Sequence, residues 1–195
     1  MKTTEIVGFK RENLGTKFAK RLRAEGNAPC VVYGPGKENV HFHAPMYLFK
    51  DLLYTPDAYF VNLNVEGVEK KCILKDATFH PVSEMILHVD FVEISDDRAI
   101  VMDIPVTLIG KSRGAALGGQ VYLKQKTLKV KALPKDMPGT VELDITELGL
   151  GGSMKVKSVN SEGFDVITGS NVSVVSCIIP RALKAAGIKD DEDAE

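Results

Sequence analysis

The chain has 195 residues, 44% of them hydrophobic, and a formal charge of −1. That is enough apolar material for two small cores, and the near-neutral total means that contact with a polyanion has to come from a local patch. No apolar run approaches the ~18 to 20 residues of a membrane span, and the amino terminus lacks the apolar core of a signal peptide, so a cytoplasmic protein is expected.

Residues 3–9 read as an opening strand. Leu14, Phe18 and Leu22 then recur at fourfold spacing and predict a helix over about 14–25 with one apolar face and Gly26 as its stop. Lys17, Lys20, Arg21 and Arg23 fall off or beside that stripe, free to face a partner. Residues 1–37 hold eight Lys or Arg against three acids. So concentrated a positive charge in a neutral chain points to a polyphosphate partner.

Pro29 to Tyr33 reads as a short strand, Gly34 to Gly36 as a turn and Val40 to His43 as its hairpin partner. A second helix is predicted over Pro45 to Leu53, with Pro45 in the first turn and Met46, Phe49, Leu52 and Leu53 as its apolar face. Phe60 to Val65, the Glu66-Gly67 turn and Val68 to Leu74 form another hairpin, and Met85 to Ile94 a further strand. The first domain, residues 1–95, is thus expected to have about six strands and two or three helices.

From Ser95 to Pro180 strand-like runs dominate (IVMDIPVTLIG, QVYLKQKTLKVKAL, NVSVVSCII), punctuated by Gly114, Gly118-Gly119, Pro134, Pro138-Gly139 and the Gly149 to Gly152 run. This predicts an all-β second domain over 96–188. The glycine runs match no phosphate-binding motif and read as turns. Lys124, Lys126, Lys129 and Lys131 read as the solvent face of a strand. Lys189 to Glu195, with five acids and one lysine, read as a disordered tail.

Cys30, Cys72 and Cys177 each stand alone in a β-branched run, with no CxxC spacing for zinc or redox chemistry, and are expected to be buried thiols. In HPVSEMILHVDF, period-two alternation puts Ile86, His88 and Asp90 on one face and Leu87, Val89 and Phe91 on the other. The His88–Asp90 pair fits three roles: a general base with its orienting carboxylate, a polar patch for nucleotide edges and 2′-hydroxyls, or a satisfied surface pair. A metal site built from His41, His43, His80, His88 and Asp90 is a weaker reading, because no spacing forces these groups together. Tyr33 ends its strand where a ring can pack in the core or offer its polar tip to ribose or a base.

The ordered set Arg11, Gly15, Lys20-Arg21-Leu22-Arg23, Gly26, Pro29, Tyr33-Gly34, His80-Pro81 and His88-Val89-Asp90-Phe91 resembles the bacterial large-subunit ribosomal protein that binds 5S ribosomal RNA. This family includes the Ctc general stress proteins. Ile104-Pro105-Val106, Gly118-Gly119 and Leu133-Pro134 resemble the extra β domain of its long members.

The resemblance implies a small β-barrel with helices that recognises the loop E region of 5S RNA through the minor groove and backbone. It implies no enzymatic activity, no cofactor and no metal. Arg11, Lys20, Arg21 and Arg23 would meet phosphates, with Lys75 a further basic candidate, while Tyr33, His88 and Asp90 would meet ribose or base groups; Lys17, from the cation cluster, is a further expected RNA contact. The protein would be a monomer when free and would touch neighbouring large-subunit components in the ribosome. Thr16, Lys20 and Thr78 depart from frequent lysine, arginine and glutamine; lysine at 20 keeps the charge but loses the planar fork of arginine. The alternatives are a transfer-RNA or other structured-RNA module and, from a different class, a metal or His/Asp hydrolase using His80, His88 and Asp90.

Overall fold

The computed structural model describes residues 1–34, 38–159 and 163–181. The expectations for Lys37, for the turn at Pro35 and Gly36 and for the acidic tail therefore lie outside the described residues. The chain divides into two compact units that meet between Ile100 and Val101.

The first unit runs β1 (Lys2–Lys10), α1 (Thr16–Ala24), β2 (Asn27–Tyr33), β3 (Val40–Pro45), a 3-10 turn (Met46–Phe49), α2 (Lys50–Tyr54), β4 (Tyr59–Val65), β5 (Val68–Phe79) and β6 (Ile86–Glu93). Its six strands close into a barrel in the order β1-β3-β2-β6-β5-β4. Hairpins β2–β3, β4–β5 and β5–β6 and the pair β1–β3 are antiparallel, while β1–β4 and β2–β6 are parallel. Closure is made by a short contact, with β1 meeting β3 only at Phe9 and Lys10.

Alternation fills the interior. Ala28, Cys30 and Val32 of β2, Phe42 and Ala44 of β3, Val61 and Leu63 of β4, and Val89 and Phe91 of β6 are buried, and Phe49 and Leu52 plug the core from the segment after β3. The predicted second helix is split: Pro45 ends β3 in an extended conformation, and the helical residues begin only at Met46. Ile86 is buried with the core and does not share the outer face with His88 and Asp90. The register between β5 and β6 shifts between Thr78 and Phe79, and this irregularity turns the first residue of β6 inward.

The second unit contains β7 (Ile100–Ile109), α3 (Arg113–Ala116), β8 (Gln120–Leu123), β9 (Thr127–Ala132), β10 (Val141–Asp144), β11 (Ser153–Lys155), β12 (Asp165–Val166) and β13 (Ser173–Ile178). They form a four-stranded sheet, β10-β7-β9-β12, and a three-stranded sheet, β11-β13-β8. Lys129 and Lys131 lie on the exposed side of β9 while Leu128, Val130 and Ala132 are buried. Gly114 is not in a plain turn. It sits in the single helical turn α3, capped by the buried Ser112, where a Cβ would come within 2.6 Å of Cys177 Sγ and 2.7 Å of the Gly149 carbonyl.

The three cysteines are buried and unpaired. Burial pushes the Cys30 thiol far above its ordinary range and the Cys72 thiol up to about 12. Ellman's reagent at mildly alkaline pH is therefore expected to leave Cys30 and Cys72 untouched in the native protein and to label both once denaturant is added. Rapid native labelling of either would contradict the closed barrel.

Candidate nucleic-acid interface

β6 lies between β2 and β5, so its outward side chains form the middle of a three-strand face. Asp90 is paired across the sheet with Val31 on one side and Asp76 on the other, and His88 is paired with Thr78. Val89 and Phe91 anchor the strand from inside. His88 Nδ1 and Asp90 Oδ1 are 2.5 Å apart, with side chains 39% and 33% exposed. Donation from Nδ1–H to the carboxylate leaves Nε2 directed elsewhere as a second polar contact.

Tyr33, at the end of β2, is half-buried on the same face. Its phenol is pushed up, first by burial and then by the negative charges of Asp90 and Asp76. Nothing in the local sequence singles out Asp76; only its pairing with Asp90 brings it to the face, and its carboxylate accepts the Ala77 N–H at 2.9 Å. The register also shifts between Leu74 and Asp76, beside Lys75, which is exposed.

α1 packs against β2. It starts after Gly15, whose φ of 146° is open to glycine but not to residues with a Cβ, and it has no side-chain N-cap. Lys17, Lys20 and Arg21 stand at i, i+3 and i+4 on one face. Lys17 and Lys20 make no hydrogen bond or ion pair with the described residues, whereas Arg21 Nε donates to Glu25 Oε1 at 2.8 Å.

Arg23 is differently placed. Its Nε and Nη2 both donate to the Leu87 carbonyl, at 3.0 and 2.9 Å, tying the helix to β6 one residue before His88. Two of its donors are thus spent within the protein, so Arg23 positions α1 as much as it offers charge.

The apolar stripe of α1 is not covered by the barrel. No residue of the helix is fully buried, and Phe18 is 45% exposed; the helix begins at Thr16 and not near 14 as predicted, so Leu14, 57% exposed, precedes it. Phe18 and Leu22 instead wall an open groove of about 370 Å³ whose other lining residues include Lys10, Arg11, Glu12, Arg21, Glu25 and His43. Arg11 is held there by its backbone N–H donating to the His41 carbonyl at 2.9 Å, and its Nη2 reaches the Asn13 carbonyl at 3.4 Å. Arg11 Nε and His43 Nδ1 are buried without a hydrogen-bond partner. Burial, and then the charge of Arg11, lower the pKa of His43, so its ring is neutral at pH 7.

The candidate metal ligands do not assemble: among the described residues no three His, Cys, Asp or Glu side chains are grouped to hold an ion. His80 Nδ1 accepts the backbone N–H groups of Val82 and Ser83 at 3.4 and 3.2 Å, and His43 stacks on Phe9 with ring centroids 5.7 Å apart. No helix among the described residues is long and apolar enough to cross a membrane.

Residues 6–91 match the Ribosomal L25p family, and residues 99–181 match the C-terminal domain of ribosomal protein TL5. The chain is 46% identical over 185 residues to large ribosomal subunit protein bL25 of Amoebophilus asiaticus, covering 95% of this chain and 94% of that one. The chain belongs to the bL25 family of large ribosomal subunit proteins. bL25 of Cytophaga hutchinsonii is 44% identical over 94% of this chain and 95% of its own, and bL25 of Porphyromonas gingivalis 36% over 97% and 99%. The first family match falls within the first compact unit, and the second covers the second unit from two residues before its start to residue 181. As a bL25 protein the chain is a structural component of the ribosome in the cytoplasm, and not an enzyme. This removes the hydrolase reading of His88 and Asp90.

Proposed function

We propose that this bL25 protein binds 5S ribosomal RNA, at its loop E region, through the outer face of β2, β5 and β6 together with α1. The observation that carries this reading is the half-exposed His88–Asp90 pair, set beside Tyr33 on a face anchored from within and bordered by a helix with unspent cations. An A-form minor groove is wide and shallow and displays 2′-hydroxyls and base edges. Asp90 can accept only from donors, which there are the 2′-hydroxyl and the guanine amino group; His88 and Tyr33 add one polar tip each. Arg11, Lys17, Lys20, Arg21, Arg23 and Lys75 lie around this set as phosphate contacts, which fix register without reading sequence. The second unit meets neighbouring large-subunit components, and the free protein is a monomer.

The test is the affinity of the intact protein for 5S RNA across a salt series. His88→Ala and Asp90→Ala are each expected to cost ~1 to 3 kcal/mol, because each strands a desolvated polar group on the RNA. The salt slope should stay unchanged, since neither removes a phosphate contact. A double variant that binds as tightly as wild type would take both residues out of the interface.

A further inference from the structure

We infer that the groove between α1 and the barrel mouth receives a single unstacked base from the RNA bound by this protein. The inference rests on the reading of the protein as a 5S RNA binder and adds a site that reads one base outside the stack. Three features bear on it.

The first is the wall. Phe18 presents an aromatic ring that the fold leaves 45% exposed, with Leu22 behind it, although helical periodicity marks this stripe for burial. An aromatic face left open beside a cationic helix matches the stacking platforms on which proteins hold splayed-out bases.

The second is the floor. Arg11 and His43 line the open groove, and their Nε and Nδ1 are buried beneath its surface without a hydrogen-bond partner, a state in which native proteins rarely leave such groups. Neutral His43 combines one donor with one acceptor, and Arg11 offers only donors. A base edge carries both kinds of partner, whereas an apolar side chain of another protein would leave them unmet.

The third is the rim. Lys10, Arg11 and Arg21 border the groove against Glu12 and Glu25, the latter paired with Arg21, and Lys17 and Lys20 stand on the same helix, so a base entering it keeps its own phosphate beside a net positive charge. A volume of about 370 Å³ falls within the range of small-ligand clefts.

The experiment uses the intact protein and 5S RNA. Phe18→Leu keeps apolar bulk but removes the ring; Phe18→Tyr keeps the ring. The first is expected to weaken 5S binding roughly tenfold with an unchanged salt slope, and the second to bind as wild type does. Ultraviolet cross-linking of the wild-type complex should join one RNA nucleotide to the peptide carrying Phe18 or to that carrying His43.

Wild-type affinity in Phe18→Leu would overturn the pocket while leaving 5S binding intact. So would wild-type affinity combined with failure of that variant to join large subunits, which would give the groove to a ribosomal protein. Loss of 5S preference in the wild type itself would overturn the underlying reading and the pocket with it.

Discussion

Phe91→Ala is expected to destabilise the barrel by about 3 to 5 kcal/mol, out of the ~5 to 15 kcal/mol that holds a typical domain folded. Phe91 is fully buried, and its ring lies 6.0 Å from that of Phe42 and 6.3 Å from that of Phe49. One residue therefore joins β6, β3 and the 3-10 turn, and its truncation leaves a cavity that three elements bound. Asp90 is its neighbour in sequence, so loosening β6 also blurs the outer face. Phe91→Leu, which keeps most of the volume, should cost less than half as much. Tyrosine fluorescence during urea unfolding suits the measurement, because the chain has no tryptophan and Tyr33, Tyr47, Tyr54 and Tyr59 all belong to the barrel unit. An alanine variant whose first transition has the wild-type midpoint would contradict the packing described.

Replacing Lys17, Lys20 and Arg21 together by alanine is expected to weaken 5S RNA binding by roughly a hundredfold at low salt, from about 1 kcal/mol for each cation taken away from a phosphate. The slope of log affinity against log salt should fall by about one for each phosphate left without its cation. The fold should survive, since all three residues are exposed and, among the described residues, only Arg21 has a partner, Glu25, in an exposed pair that contributes little to stability. Arg23→Ala should behave differently. It removes two hydrogen bonds to the Leu87 carbonyl, so it loosens α1 from β6 and costs stability as well as affinity. If the triple variant keeps the wild-type salt slope, α1 does not face phosphates.

Local physics made much of the barrel legible. The hairpins at Glu66-Gly67 and after Tyr33 follow from period-two runs interrupted by turn residues, and alternation alone placed His88 and Asp90 together and Val89 and Phe91 inside. What remained hidden depends on contacts between distant segments. The parallel pairs β1–β4 and β2–β6, which close the barrel, leave no local signature. Ile86 defeats simple alternation because an irregularity at Thr78 and Phe79 shifts the register.

At the candidate site the cations were visible as a cluster, but not their commitments. Nothing local marks Arg23 as bound to a carbonyl on β6, or Asp76 as the cross-strand neighbour of Asp90. The stripe of Leu14, Phe18 and Leu22 shows how far periodicity reaches: it locates an apolar face without saying that Leu14 falls before the helix or that Phe18 is left exposed while Leu22 is half-buried.

The most direct measurement is binding of the intact protein to 5S RNA and to a structured control RNA of equal length, at several salt concentrations. Tighter binding to 5S RNA that persists as salt rises, and that falls on Asp90→Ala, is the predicted result. Equal affinity for the two RNAs at every salt concentration would contradict it, and would leave the basic helix as a non-specific RNA contact.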